Sequence, residues 1–167
     1  MPAATPHLPV LAVLQNMWDP DRAKRNKPAP VVFRISPDNR SGKKLYRVVN
    51  EQRFRLFVTN AASEVGAHAA DHRTQADHSQ LKQALDRCDW FAVLVCGVYA
   101  QNALARHTEP TPFHTCWMPH PASRTLTNAL LDDVAAHLET LASEQPAEPF
   151  HMQWLQNRGE FQKFFRD

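Results

Sequence analysis

Glycine is scarce in this chain: four residues in 167, at positions 42, 66, 97 and 159. No group of them builds the Gly-rich turn that cradles phosphates in nucleotide-binding folds. No serine sits in a Gly-x-Ser-x-Gly elbow. Phosphoryl or acyl transfer of those kinds is therefore not expected. Cysteine is equally sparse. Cys88, Cys96 and Cys116 are odd in number and lie in or beside apolar stretches. They read as reduced core thiols, not as a disulfide frame or a zinc or iron–sulfur set. Long hydrophobic runs are missing too, none approaching the ~20 residues of a membrane span. The first residues, Met1 to Pro6, lack the basic start and apolar core of a secretory signal. These absences together point to a cytoplasmic protein. His68, His72 and His78 include an i, i+4 pair, but no cysteine or clear third ligand lies nearby. Solvated loop histidines are expected there, with no metal and no cofactor.

What is present is the composition of a folded domain, 43% hydrophobic and 22% charged. The length fits one domain with a real core. The net charge of +2 hides an asymmetry. Residues 1–55 hold eleven Lys/Arg against four Asp/Glu, and the remainder holds eight against thirteen. Clusters at Arg22, Lys24, Arg25, Lys27 and at Arg40, Lys43, Lys44, Arg47 fit a phosphate backbone. They fit solvated loops and helix faces equally well.

Leu8 to Leu14 is a continuous apolar run, as expected of a buried parallel strand. Val31 to Ile35 reads as a short strand and Ser36 to Gly42 as turn chemistry. Residues 43–52 fit a hairpin arm or a short helix. Phe54 to Thr59 and Trp90 to Cys96 are strands, and Phe113 to Met118 is the fourth clear one. Helices are expected over residues 78–88, from Tyr99 to Arg106 and from Thr127 to Leu141. The last carries Leu130, Leu131, Val134 and Leu138 on one face, with Thr127 or Asn128 as cap. Strands alternating with helices predict a three-layer α/β/α sandwich around a short, mainly parallel four-stranded sheet. Residues 1–141 would form this domain. Residues 142–167 would be a linker and helical tail packed back on it.

Three expected strands end in polar residues: Gln15-Asn16, Asn60, and His120 between Pro119 and Pro121. Prolines on both sides exclude His120 from a helix or central strand and predict a stiff, extended loop. Parallel strands present their C-terminal ends along one edge, so these side chains can converge on one pocket. Two amides, a histidine and an aromatic wall from Phe33 suit a planar heterocycle, read on its edge and stacked on its face.

In that order the residues resemble the uracil-DNA glycosylase superfamily over roughly residues 9–140. Val13-Leu14-Gln15-Asn16-Met17-Trp18 stands where the family has Gly-Gln-Asp-Pro-Tyr or Gly-Ile-Asn-Pro-Gly. Val32-Phe33-Arg34-Ile35 resembles the strand whose Phe stacks on the flipped base. Leu56-Phe57-Val58-Thr59-Asn60 resembles the strand whose final Asn reads a pyrimidine edge. Val93 to Gln101 is similar to an apolar strand, Gly and Ala-Gln helix start, and Pro119-His120-Pro121-Ala122-Ser123 to the His-Pro-Ser motif. Glycine and proline of the first motif are replaced by Leu14 and Met17.

The resemblance implies a monofunctional DNA glycosylase hydrolysing the N-glycosidic bond of uracil or of a modified or mismatched pyrimidine. Asn16 would orient the attacking water, because an amide cannot be a general base, with Asp19 as an alternative. His120 would stabilise the oxyanion forming on the base. Phe33, Asn60, Gln15 and Trp18 would hold the base, Trp18 beside its C5 edge. Ser123 would bond a flanking phosphate, and Arg124 or Leu126 would fill the hole in the duplex. DNA is the expected partner of a monomer with no membrane contact. Anti-phage excision of hypermodified cytosine, a silent DNA or modified-base binder, and an unrelated small-molecule α/β enzyme remain open alternatives.

Overall fold

The computed structural model describes residues 7–15, 31–62, 78–107, 109 and 111–144. Four strands carry the architecture: β1 (Leu8–Leu14), β2 (Phe54–Asn60), β3 (Ala92–Cys96) and β4 (His114–Met118). They form one all-parallel sheet in the order β2-β1-β3-β4. β1 and β3 are runs of apolar residues because both faces of the sheet are covered there, whereas the edge strand β4 buries only Cys116 and Met118.

Val10, Ala12 and Leu14 face one core with Leu56, Val58, Leu94 and Cys116. Helices α1 (Arg40–Val48) and α4 (Asn128–Glu144) close that side, through Leu45, Val48, Leu131, Val134 and Leu138. Leu11, Val13, Phe57, Val93 and Val95 face the other core. Helices α2 (His78–Leu85) and α3 (Val98–Ala105) close it with Leu81, Ala84, Ala100 and Leu104. The result is the expected three-layer α/β/α sandwich. Full burial of each Leu, Val or Phe in these cores contributes about 1.5–3 kcal/mol.

Residues 43–52, compatible above with either a hairpin arm or a helix, lie mostly in α1. The turn before it supplies the cap: Asn39 Oδ1 accepts from the backbone N–H of Ser41 (2.9 Å) and Gly42 (3.3 Å). Gly42 is needed there because a Cβ would stand 2.0 Å from the Ser36 carbonyl oxygen. The segment 31–35 is less than a strand. Phe33 alone makes an antiparallel bridge with Val58. Arg34 then turns inward, donating to the Leu56 carbonyl (3.1 Å) and pairing with Glu51. Glu51 in turn accepts from the Leu56 N–H (3.1 Å), so these side chains occupy the open edge of β2. Thr127 Oγ1 caps α4 at the Leu130 N–H (3.2 Å), while Leu130 itself is only half-buried. Helix α4 runs to Glu144, past the expected end at Leu141.

Cys88, Cys96 and Cys116 are buried free thiols. Burial pushes all three upward in pKa, Cys116 to about 11, so none is a ready thiolate. No helix among the described residues is long and apolar enough to cross a membrane. His68, His72 and the expected tail over 150–166 lie outside the described residues.

Candidate nucleic-acid and base-binding site

Register decides what meets at the carboxyl edge of the sheet. Leu14 pairs with Asn60 and Cys96 with Met118. Gln15, Asn60, Gly97 and the Pro119-His120 loop therefore leave adjacent strands on one edge. The chain winds from β1 to β2 on one side and places β3 on the other. The crevice between the ends of β1 and β3 is thus the topological switch point, where open α/β sheets bind ligands. A cavity of about 460 Å³ opens there, lined among others by Gln15, Gly97, Tyr99, Asn102, His120 and Ser123. A second cavity, of about 350 Å³, lies at the opposite edge beside Asp86, Asp89 and Glu109. Lys82 pairs with Glu109 (2.8 Å) and Asp86 (3.5 Å) next to it.

His120 is held by its own loop. Its carbonyl accepts from the Ser123 N–H (2.8 Å), closing a turn with Pro121 at the second position. The loop is thus a tight turn, not the extended segment expected from the two prolines. Within it the Ala122 N–H donates to His120 Nδ1 (3.0 Å). An Nδ1 that accepts leaves the proton of the neutral ring on Nε2, so the ring presents an N–H donor. Burial, and secondarily the Lys44 charge, lower the His120 pKa below its ordinary value. Lys44 donates to the Pro121 carbonyl and ties α1 to the same turn. Gly97 lies against the backbone and Cβ of His120. It has φ +89°, and a Cβ there would come 3.1 Å from the His120 Cβ.

Asn60 ends the adjacent strand on the same edge, outside the lining of the cavity that His120 borders. It is 1% exposed, and neither its Oδ1 nor its Nδ2 has a hydrogen-bond partner. Leaving such a group unpaired costs about 1–3 kcal/mol, so an orphaned carboxamide in a strand end needs an explanation. Phe33 bridges Val58 two residues away and packs on the core face that also holds Leu14 and Val58. An aromatic ring and the carboxamide thus share one face of the sheet edge.

The remaining expected residues are distributed as follows. Gln15 is half-buried and lines the cavity. The Ser123 hydroxyl shares a hydrogen bond with Thr125 Oγ1 (2.8 Å). Arg124 is exposed in the turn, whereas Leu126 is half-buried against the core. Asn16, Trp18 and Asp19 lie outside the described residues. Of the basic cluster on α1, Arg47 is held by Asp132 (2.8 and 3.0 Å) and Lys44 by Pro121. Arg40 and Lys43 are exposed on the first turns of the helix.

Residue patterns did not single out four contributors. Tyr99 and Asn102 line the cavity from α3, and Val98, 70% exposed, stands at its rim. Gln80 donates through Nε2 to the carbonyls of Asn60 (3.0 Å) and Ala62 (3.1 Å). Among the described residues no group of three or more His, Cys, Asp or Glu is arranged to hold a metal ion. Comparison of the chain with family models, curated proteins and solved structures yields no significant match, so the site's own chemistry carries the functional reading.

Proposed function

We propose that the protein is a monofunctional DNA glycosylase that captures a uracil, or a modified or mismatched pyrimidine, flipped from DNA and hydrolyses its N-glycosidic bond. The observation that carries this reading is the buried, unpartnered carboxamide of Asn60 at the carboxyl edge of the sheet. A carboxamide offers one acceptor and two donor hydrogens, the complement of a pyrimidine edge. Phe33 on the same face supplies a stacking surface.

Extruding the base costs a few kcal/mol and brings the bond out of the duplex. Cleavage leaves negative charge on the base and oxocarbenium-like positive charge on the sugar. The Nε2–H of His120 donates to the developing oxyanion at the base carbonyl. Its neutrality matters, because a charged imidazolium would repel the sugar cation. A preorganised donor of this kind contributes about 2.7–4 kcal/mol to the transition state. Asn16 orients the water that attacks the sugar. Exposed Arg40, Lys43 and Arg124 face the phosphates around the site, and Arg124 is freer than half-buried Leu126 to enter the vacated stack.

The test is to incubate the protein with oligonucleotides bearing uracil, thymine opposite guanine, 5-hydroxymethyluracil or glucosylated hydroxymethylcytosine. Alkali then reveals abasic sites. Excision of one base is expected, falling roughly 10²–10³-fold in His120→Ala with DNA affinity preserved. No abasic product from any substrate, or equal loss of binding and excision in the variant, would refute the reading.

A further inference from the structure

Gln80 enters the molecule from a distance. It is twenty residues beyond Asn60 in sequence, in the first turn of α2, yet it is 5% exposed beneath the end of β2. Its single carboxamide nitrogen spans the carbonyls on either side of Ala61, those of Asn60 and Ala62. Both acceptors are carbonyl oxygens, which fixes the nitrogen rather than the oxygen of Gln80 toward them. The same short segment is also bound by the neighbouring strand. The N–H groups of Ala61 and Ala62 donate to the carbonyls of Leu14 (2.8 Å) and Gln15 (2.9 Å). Sheet pairing thus continues one step past the strands, at the place where the site begins.

Asn60 therefore has an unusual division of contacts. Its backbone is clamped on both sides and its side chain is bonded to nothing. An orphaned amide left free to swing would turn toward water or a neighbouring carbonyl. Held by its main chain in a closed strand end, it stays where a ligand edge can meet it. We infer that Gln80 is a positioning residue: it locks the 60–62 backbone and so fixes the Asn60 carboxamide for reading the substrate. This rests on the glycosylase reading for its substrate, but not for the clamp itself.

The clamp acts on discrimination between bases more than on DNA affinity. A displacement of about 1 Å at a reading group costs on the order of 10²-fold in rate for the cognate ligand. A ligand that never matched the amide loses much less. The variant Gln80→Met keeps the length of the side chain and removes its donors. Gln80→Ser leaves room for water at the two carbonyls and is read in parallel, in case the Met variant misfolds. The quantity measured is the ratio of kcat/KM for the best and second-best pyrimidine, which does not depend on the fraction of folded enzyme. It should fall roughly tenfold to a hundredfold. In an Asn60→Ala background the same change should leave the ratio where Asn60→Ala put it. Independently, the side-chain NH2 resonances of Asn60 should be one sharp pair in the wild-type protein and broaden in the variants. An unchanged ratio in an active enzyme, unchanged Asn60 resonances, or failure of both variants to fold overturns the inference. Broadened resonances alongside a wild-type protein that excises nothing would uphold the clamp and sink the glycosylase reading.

Discussion

Replacing Asn60 by leucine should make the protein more stable and less able to bind. The two side chains have the same branching, so the change swaps two buried polar atoms for two somewhat larger methyl groups. In the native chain neither polar atom has a partner, and the residue is 1% exposed. Folding therefore loses the hydration of that amide with nothing in return, at a cost of about 1–3 kcal/mol. A leucine side chain would avoid the cost and extend the apolar face already made by Leu56, Val58 and Leu14. For a chain of this size each kcal/mol corresponds to roughly 2–4 °C, so Tm should rise by roughly 2–12 °C. Thermal unfolding followed by circular dichroism reads this directly, and excision or base binding measured on the same samples should be abolished. The pairing of higher stability with lost function is the mark of a residue kept for its ligand. A fall in Tm for Asn60→Leu would refute the reasoning. It would mean that the amide is satisfied in the folded state and is structural.

Further outcomes follow from the geometry around His120, with Gly42, whose neighbours are Ser36 and Asn39, as a control. The His120 pKa lies below its ordinary value, chiefly through burial and secondarily through Lys44. Below pH ~6.5 the unfolded chain binds the proton before the folded one does, so stability declines as pH falls through the window between the two values. The acid limb of kcat/KM should lie below pH ~6.5 for the same reason. Lys44→Gln, which removes the charge, should move that limb upward, as a pH–rate series would detect. Gly97→Ala should cost about 1–3 kcal/mol, because φ +89° with ψ 168° is essentially a glycine conformation. It should also depress excision by displacing the His120 Cβ and with it the side chain, so retained activity at lowered Tm would count against the contact. Gly42→Ala is the control: overlap with the Ser36 carbonyl should cost about 1–3 kcal/mol, lowering Tm while base discrimination stays constant.

The strands were legible in the sequence because a sheet covered on both faces needs continuous apolar runs, and β1, β2 and β3 are such runs. Helix α1 was not, because its capping residue Asn39 sits in a Ser-Pro-Asp-Asn cluster that reads first as a turn. The cap and the turn are the same residues. Helix α4 was legible down to its Thr127 cap, although its buried stripe is Leu131, Val134, Leu138 and Ala142, without Leu130. Asn60 and His120 could be named because polar residues at parallel strand ends share an edge by topology. Their states could not. The tautomer of His120 depends on the Ala122 amide, and the isolation of the Asn60 side chain on what the fold leaves unpaired. Gln80 carried no signal, since a glutamine in the first turn of a helix resembles any solvated polar residue until the helix is docked. Arg47 stood in a cluster that fitted a phosphate backbone or a solvated helix face equally well, and its pairing with Asp132 was hidden until packing of α1 against α4 brought that acid within reach.

The central pair of strands also sets the tempo of the molecule. Val10 to Val13 and Ala92 to Val95 are fully shielded, and each pairs on both edges with another strand. Their hydrogen bonds open only when both cores open, which makes that pair the slowest-exchanging part of the chain. Gln15 and Gly97 stand just beyond the ends of these strands. The floor of the crevice is therefore static for as long as the protein stays folded, and adjustment to any incoming ligand falls to side chains such as Tyr99, Asn102 and Arg124. Capture here resembles landing on a fixed plate more than closing a hand.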